Sequence, residues 1–539
     1  MRQLTALDAQ FLHAESPTTA AHVAGVAVLD PACASGAVTR DALVVLLRRR
    51  LHRAPALRMR LADVPLRLDH PYWTEDRDFD PDDHVYEVTL ANPDLLAEEV
   101  GRIHARRLDR RRPLWEMHLI HGLAGGRVAL YSKVHHCAID GVSGAETLAA
   151  LLDLSPEPPE PSRRAAARPA GPAQVTAPVT APGSLAMLAG AAVRSAAHPL
   201  HALGSLCRTV ADLDALPLTS GLPGARLVAK ATRMLTGDTR PMPDLPALHV
   251  PRTPFNGPIS AERRFAYGSL PLAEIKRVAK AFGISLNDVV MTLCASALRG
   301  WLRENDALPD RPLVAGVPVA VRTAGASTVV GNQLSAMVAP MATDVACPRE
   351  RLLATGAAMR AAKRRFASSP ATWLSELSSL LPAAVTALAT APVFRLASVA
   401  FPPVNLIVSN VPGPQFPLYL GGARVEAYYP ISVLTDVSGG VNITCFSYDG
   451  SLDFGIVACP QRMADVWRLF EHLREAMSEL SGLSELSEPP EPPELSEPPG
   501  AGVASRRPAA PVVEVPAPAE AQAASVAPPA KAARAKVPA

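Results

Sequence analysis

Two adjacent histidines, His135 and His136, are followed four residues after the second by an Asp-Gly pair, Asp140 and Gly141. A neutral imidazole has an unperturbed pKa of about 6.5, so it can accept a proton at neutral pH. A nearby carboxylate can brace the turn by pairing with Arg or backbone N–H groups, or it can orient the imidazole. Glycine permits a tight turn into a following helix. This spacing therefore predicts proton-transfer chemistry at a turn.

A cysteine, Cys137, follows the histidines directly and offers a second kind of chemistry. A covalent mechanism needs an activated nucleophile, and the chain contains no GxSxG segment that would form a nucleophile elbow. If the strand continues, Cys137 points to the side opposite His136. A nucleophilic Cys137 is therefore the weaker alternative.

The elements around the motif predict how it is positioned. Apolar runs at 115–120 and 128–134 are separated by Gly125-Gly126, which is typical of two strands joined by a turn. The histidines then end the second strand, and 141–152 is predicted to be a helix. Pro113 to Glu116 is expected to place the first strand beside the histidine strand, with Trp115 in a structural role.

Proline and hydrophobic patterning divide the rest of the chain. The 54 prolines among 539 residues concentrate in two segments that cannot form regular structure. Further strands are predicted at 22–29 and in a Tyr448–Ser451 hairpin, and further helices at 94–108 and 463–480. The predicted domains are 1–154, which carries the histidine motif; 155–250, a Pro-rich linker and helical crossover; 251–482, a second α/β domain; and 483–539, a disordered Pro/Ala/Glu-rich tail.

Composition narrows the functional classes. The net charge of +2 gives no bulk attraction to nucleic acid. Seven scattered cysteines without CxxC spacing favour a reducing compartment and argue against a structural zinc site. No secretory signal is expected at the N-terminus, and the apolar stretch at 377–394 is interrupted by prolines, so no spanning helix is expected. Residues 184–235 either pack as a crossover or form a membrane-facing amphipathic segment.

With these segments in view, the chain resembles the bacterial wax ester synthase/acyl-CoA:diacylglycerol acyltransferase family. HHCAIDG matches the HHxxxDG motif of the CoA-dependent acyltransferase superfamily, which condensation domains of peptide synthetases share. Other segments resemble the narrower family and occur in its order: LTALDAQFLHAESPTTAAHVAGVAVLD from residue 4, LDRRRPLWEMHLIHGL at 108–123, LNDVV at 286–290, VPVAVR at 317–322, GNQLS at 331–335 and SNVPGP at 409–414.

The resemblance implies an α/β fold of two chloramphenicol-acetyltransferase-like domains, with mixed sheets, flanking helices and an active-site channel between the domains. It implies transfer of a long-chain acyl group from acyl-CoA to the hydroxyl of diacylglycerol or of a fatty alcohol. His136 would then be the general base and His135 a supporting residue, while Asp140 and Gly141 would hold the loop. No metal or bound cofactor is implied, since CoA enters as part of the substrate.

The tetrahedral intermediate of acyl transfer needs a hydrogen-bond donor for its oxyanion. The resemblance makes Asn287, in the family's ND position, the first candidate, although a helix N-cap or capping-turn residue is an equal alternative. Asn332 and Asn410 are weaker candidates. A basic run could bind CoA phosphates or simply form a solvated helix end; it comprises Arg106, Arg107, Arg110, Arg111 and Arg112.

Two other readings stay open at this point. A condensation-type enzyme would use carrier-bound acyl groups, but the chain has no recognisable carrier or adenylation segment. A non-catalytic protein that coats lipid inclusions would not need the histidine motif. The expected partners are acyl-CoA and a lipid acceptor, not nucleic acid. The expected location is the cytoplasm, peripheral to the inner membrane or to lipid inclusions.

Overall fold

The structure is a computed structural model that describes residues 2–34, 36–138, 151–157, 179–211, 224–237, 248–320, 334–368 and 373–485. Its strands are β1 Arg2–Gln3, β2 His22–Asp30, β3 Met59–Ala62, β4 Tyr72–Glu75, β5 Val85–Thr89, β6 Trp115–His121, β7 Val128–His135, β8 Arg264–Pro271, β9 Leu313–Ala320, β10 Leu334–Met341, β11 Leu406–Pro412, β12 Tyr419–Leu420, β13 Ala423–Ile431, β14 Val441–Tyr448 and β15 Ser451–Ala458. Its helices are α1 Ala6–Ala14, α2 Arg40–Arg50, α3 Leu96–His104, α4 Ser184–Ala211, α5 Ala225–Thr236, α6 Leu272–Ala281, α7 Leu286–Glu304, α8 Pro348–Ser368, α9 Trp373–Ser378, α10 Ala383–Ala400 and α11 Val466–Glu485.

The histidine motif belongs to a six-stranded mixed sheet, which we call sheet I, with the order β12-β13-β2-β7-β6-β5. Strand β7 lies antiparallel between β2 and β6, while β5 pairs with β6 in parallel. Gly125 and Gly126 adopt positive φ between β6 and β7, as a tight turn requires. The end of β7 is thus hydrogen-bonded on both sides, which fixes its position.

A second six-stranded mixed sheet, sheet II, has the order β10-β9-β11-β14-β15-β8. Strand β11 runs parallel to β9 and β14, and the other pairs are antiparallel. Helices α6, α7, α8 and α11 contact this sheet or one another around a large apolar core. Two mixed sheets with flanking helices confirm the predicted α/β fold class.

One pairing joins distant parts of the chain. Strand β13 lies antiparallel to β2, although about 400 residues separate them in sequence. Residues of the predicted second domain therefore complete the sheet that carries the histidine motif. The sequence pattern predicted the strand at 22–29 but no strand at 423–431.

Most predicted elements have observed counterparts with shifted ends. The strand expected at 22–29 is β2, the Tyr448–Ser451 hairpin joins β14 to β15, and the final helix covers Val466–Glu485 instead of 463–480. The helix expected at 94–108 is shorter because a turn at 93–95 precedes α3, which ends at His104. Most of the predicted helix at 141–152, most of the Pro-rich part of the linker and nearly all of the tail lie outside the described residues. The domain boundaries stay predictions.

Candidate active site

The backbone of both histidines is held by neighbouring segments. The His135 N–H donates to the Leu114 carbonyl and the His136 N–H donates to the Ala21 carbonyl, each at 2.9 Å. Leu114 immediately precedes β6, and Ala21 immediately precedes β2. His136 is 9% exposed, and it lines a cavity.

A phenyl ring fixes the plane of the His136 imidazole. Phe11 stacks on it with ring centroids 3.9 Å apart and an interplanar angle of 4°. Phe11 lies on α1, whose N-terminus is closed by a reciprocal capping box between Thr5 and Asp8. A stacked ring covers one face of the imidazole and restricts its rotation.

A buried carboxylate, Glu15, lies directly behind the pair. Glu15 Oε1 is 3.3 Å from His135 Nε2 and accepts from the Ala21 N–H at 3.2 Å. Glu15 Oε2 accepts from Arg110 at 2.6 Å. Burial raises the pKa of Glu15, but His135 and Arg110 outweigh that effect and lower the pKa to about 2. A fixed negative charge therefore stands beside the histidines.

Contacts to both ring nitrogens of His135 restrict its role. Nδ1 accepts from the Cys137 N–H at 3.1 Å, so in the neutral ring the proton resides on Nε2, the atom that faces Glu15. The ring is almost completely buried and does not line the cavity. These contacts suit a residue that stabilises the turn and leave the cavity to His136.

Cys137 is placed away from this cavity. It packs in an apolar cluster with Leu4, Leu12 and Trp73, and burial raises the pKa of its thiol well above the usual value. A thiol with a raised pKa supplies little thiolate. The structure therefore gives the nucleophilic alternative no support.

The cavity beside His136 has a volume of about 450 Å³ and mostly apolar walls. Sheet I supplies one wall and segments of sheet II supply another, so the cavity lies between the two sheets. Such a space suits an apolar chain with a few polar groups at defined points. Its lining includes Ala27, Leu29, Leu47, Leu57, Trp115, Met117, Leu130, Ser132, His136, Ser409, Asn410, Pro412, Thr444, Phe446 and Tyr448.

The predicted oxyanion donors meet at the sheet II side. The Asn410 Nδ2 donates to Asn287 Oδ1 at 3.2 Å, and the Cys445 thiol donates to Asn410 Oδ1 at 3.4 Å. Asn287 does not cap its helix, because Ser285 is the N-cap of α7. Asn410 lines the cavity with His136, and Asn287 lies behind it. Asn332 is outside the described residues.

The segment Pro113 to Glu116 has the predicted structural role. The Trp115 Nε1 donates to the Leu57 carbonyl at 2.7 Å. Glu116 lies opposite Lys133 across the β6–β7 pair, with 2.6 Å between Glu116 Oε1 and Lys133 Nζ. The prediction that this segment places β6 beside the histidine strand is confirmed.

The basic run mainly forms ion pairs within the chain. Arg110 contacts Glu15, while Arg111 pairs with Asp109 and Arg112 lies 3.8 Å from Asp83. Arg110 is thus part of the histidine environment. Its role in CoA binding stays a prediction.

Asp140 and Gly141 lie outside the described residues, so their predicted roles stay untested. Phe11 and Glu15, in contrast, were not predicted as site residues. They lie in the N-terminal segment that carried the family resemblance, but nothing in their spacing indicates that they contact the histidines. In the part of the chain that the structure describes, no group of three or more His, Cys, Asp or Glu residues could hold a metal ion.

Comparisons with known proteins identify the family of this chain. The chain matches the wax ester synthase/diacylglycerol acyltransferase catalytic domain over residues 4–290 and the WS/DGAT C-terminal domain over residues 330–481. Two Mycobacterium tuberculosis proteins, both named provisionally as diacylglycerol O-acyltransferases, are 35% and 37% identical to it. The first match covers 89% of this chain and 90% of that protein, and the second covers 88% and 99%.

Solved structures are also similar to this chain. The wax ester synthase/diacylglycerol acyltransferase from Marinobacter aquaeolei VT8 has a TM-score of 0.61 and 28% identity, with 90% of this chain and 100% of that chain covered. The first condensation domain of the calcium-dependent antibiotic synthetase has a TM-score of 0.51 and 16% identity, over 89% and 96%; this likeness concerns the fold alone. The chain belongs to the wax ester synthase/diacylglycerol acyltransferase family.

Proposed function

We propose that the protein transfers a long-chain acyl group from acyl-CoA to the hydroxyl of diacylglycerol, of a long-chain fatty alcohol, or of both. The observation that carries this proposal is the position of His136, at an apolar cavity and with its ring plane held by Phe11. A base at such a cavity can meet a lipid hydroxyl away from bulk water. CoA enters as part of the substrate, and the reaction needs no metal or bound cofactor.

His136 acts as the general base. As the acceptor oxygen attacks the thioester carbonyl, its proton passes to the imidazole and a tetrahedral intermediate forms. Collapse of the intermediate breaks the C–S bond, and the imidazolium returns the proton to the departing CoA thiolate. The ester and CoA–SH are released, and the imidazole is neutral again. A directly transferred acyl group requires no covalent enzyme intermediate.

The other predicted residues support this cycle. Asn287 and Asn410 form an amide pair beside the cavity, and we assign the oxyanion donor to this pair, with Asn287 as the residue that orients or supplements Asn410. His135 holds the turn through its contacts with Cys137 and Glu15. The family resemblance assigns to Asp140 and Gly141 the role of holding the loop.

The substrates also suggest a location. Diacylglycerol and fatty alcohols reside in lipid phases, so the protein must work peripherally at the inner membrane or at lipid inclusions, from the cytoplasmic side. Its partners are acyl-CoA and the lipid acceptor. Flotation of a cell lysate checks this: the protein should rise with the lipid fraction, and recovery only from the soluble fraction would count against it.

The test uses purified protein with palmitoyl-CoA and either dipalmitoylglycerol or hexadecanol, and it follows CoA release and lipid product together. His136→Ala should lose about 10²- to 10⁴-fold in rate, the usual contribution of a general base. His121→Ala is the matched control, because His121 lies on β6 and pairs with Glu87 at the surface. The better acceptor identifies the main activity.

Two outcomes would overturn the proposal. If wild type and His136→Ala form product at the same rate, His136 is not the base. If neither acceptor gives product with wild type, carrier-bound acyl substrates become the next to try, as for a condensation-type enzyme. A protein that only coats lipid inclusions would also be silent in this assay.

A further inference from the structure

Helix α10 exposes an apolar side and buries a side that carries hydroxyl groups. Its exposed side carries large apolar residues, with Leu388 80% and Leu396 69% exposed, and Phe401 just after the helix is 81% exposed. Its buried side carries hydroxyl residues, Thr386, Thr390 and Ser398. A surface helix in water shows the opposite arrangement, because apolar side chains are stabilised by removal from water.

Hydrogen bonds within α10 compensate the burial of its hydroxyl groups. Thr386 Oγ1 donates to the Ala383 carbonyl at 2.9 Å, and Ser398 Oγ donates to the Arg395 carbonyl at 2.7 Å. Each hydroxyl is therefore satisfied within its own helix, and its burial carries little penalty. The exposed apolar side has no such compensation, which indicates that it is covered by an apolar phase.

A second exposed apolar group lies next to α10. The turn Pro65–Arg67 contacts the helix and presents Leu66, which is 86% exposed. Leu66 and Arg67 have φ values of 57° and 53°, the left-handed region that non-glycine residues seldom occupy. Backbone strain that presents an apolar side chain to the outside often serves a function.

The charges of this surface favour a particular partner. Arg395 on α10 and Arg67 on the turn are exposed, and residues 383–400 contain no Asp or Glu. Arginine among exposed apolar residues is typical of segments that lie in the interface of membranes with anionic lipids. An apolar protein partner would not bind more tightly because Asp and Glu are absent from residues 383–400.

This surface is connected to the candidate active site. Thr390 Oγ1 donates to the Thr386 carbonyl at 2.7 Å and lies 3.1 Å from Gln10 Oε1 of α1. The next residue of α1, Phe11, stacks on His136. A lipid phase at α10 would thus lie on the other side of the helix that orients the proposed base.

We propose that α10 and the turn Pro65–Arg67 form a docking surface that lies in the plane of an anionic phospholipid membrane. This docking surface rests on the proposed function, because a lipid substrate must reach the cavity from a lipid phase. Within the described residues α10 alone is long and apolar enough to span a bilayer as a single helix. However, its hydroxyl side packs on α1, and its 18 residues extend only about 27 Å against the ~30 Å hydrocarbon core.

The test is flotation of the full chain with vesicles of phosphatidylcholine alone or of equal parts phosphatidylcholine and phosphatidylglycerol. Wild type should float, and more strongly with the anionic vesicles. Leu388→Asp should reduce partitioning by at least about tenfold, because burial of a leucine is lost and a charge is added. Leu353→Asp, at an exposed leucine of α8, is the matched control and should float like wild type.

Activity assays distinguish a loss of membrane docking from a loss of catalysis. With hexanoyl-CoA and hexanol in solution, Leu388→Asp should match wild type, whereas with diacylglycerol in anionic vesicles it should be at least about tenfold slower. If wild type forms no product from either the soluble pair or palmitoyl-CoA with diacylglycerol in vesicles, the proposed function fails while flotation still tests the docking surface.

Three results would overturn the docking proposal. Wild type that does not float, or equal flotation of wild type and Leu388→Asp, shows that α10 does not bind the membrane. Resistance of the bound protein to alkaline carbonate extraction shows a spanning helix instead. A wild-type dimer that Leu388→Asp converts to a monomer without any change in flotation shows that a second copy covers the helix.

Discussion

Two neighbouring imidazoles lie in different surroundings. His135 has one nitrogen turned to the Cys137 N–H and the other to Glu15, so both are used inside the protein. His136 lines the cavity, and Phe11 holds the plane of its ring. Residue identity alone does not separate the two histidines; their surroundings do.

Glu15 gives the first prediction at the residue scale. Glu15→Gln keeps the size of the side chain but removes the negative charge beside the histidines. We expect kcat/KM to fall about 10- to 100-fold, less than the ~10⁴-fold measured when a directly bonded orienting carboxylate is lost. Since a nearby anion stabilises imidazolium, its removal makes the proposed base weaker. The acid limb of the pH–rate profile should therefore move to lower pH.

The pH profile distinguishes this role from a purely structural one. The pKa of Glu15 is about 2, so the carboxylate stays ionised throughout the range in which an imidazole titrates. Arg111→Gln is the control, because Arg111 belongs to the same basic run but pairs only with exposed Asp109. A Glu15→Gln enzyme with reduced rate and an unshifted acid limb would mean that Glu15 acts only through packing.

At the scale of elements, a buried ion pair joins β6, β7 and α3. Lys133 Nζ lies 2.6 Å from Glu116 Oε1 and donates to the carbonyls of Ile103 and Arg106 at 3.1 and 2.9 Å. A cation at the C-terminal end of a helix is also favoured by the helix dipole. The pair thus attaches α3 to the strand that ends at the histidines.

Lys133→Met should destabilise the protein strongly. It leaves the Glu116 carboxylate without its cation and two carbonyls without their donor, which typically costs about 3–5 kcal/mol. Lys133→Met/Glu116→Leu should be less destabilised than the single variant, because no uncompensated buried charge remains. The free energy of unfolding in urea provides the measurement.

The pair of Arg102 and half-buried Glu99 on α3 supplies a control, because the Arg102 side chain is 57% exposed. Arg102→Met should change the free energy of unfolding by less than about 1 kcal/mol, as is usual for surface pairs. If Lys133→Met has an equally small effect, the ion pair does not fix α3 to the sheet.

The sequence predicted these elements far better than their contacts. Alternating apolar residues and Gly125-Gly126 sufficed to predict β6 and β7, since both signals are local. Phe11 and Glu15 lie about 120 residues before the histidines, and nothing in their spacing shows that α1 packs there. The pairing of β13 with β2 was missed for the same reason. Asn287 was identified only through the family resemblance.

At the scale of the whole molecule, β13 connects the two sheets. It pairs with β2 in sheet I, while the Tyr428 N–H donates to Asp453 Oδ2 on β15 of sheet II at 2.8 Å. Burial raises the pKa of Asp453 to about 6. The cavity lies where these sheets meet, so its shape depends on a strand supplied by the far end of the chain.

Gly25 tests this dependence. It lies on β2 opposite Pro430, and a methyl group there would overlap the Tyr428 ring. Gly25→Ala should therefore lower the free energy of unfolding by about 1–3 kcal/mol through overpacking. Because β13 pairs with β2 in sheet I and contacts β15 of sheet II, we expect one thermal transition that shifts as a whole. Circular dichroism and tryptophan fluorescence should follow the same curve.

Gly36→Ala is the matched control, because an added methyl group there meets no atom within 4 Å. Its melting temperature should equal that of wild type. Two separate transitions in Gly25→Ala, one shifted and one not, would show that the halves unfold independently and that β13 is dispensable for sheet II. A single shifted transition together with an altered acyl-chain preference would show that the packing of β13 affects the shape of the cavity. Tyr428 of β13 lines the cavity wall.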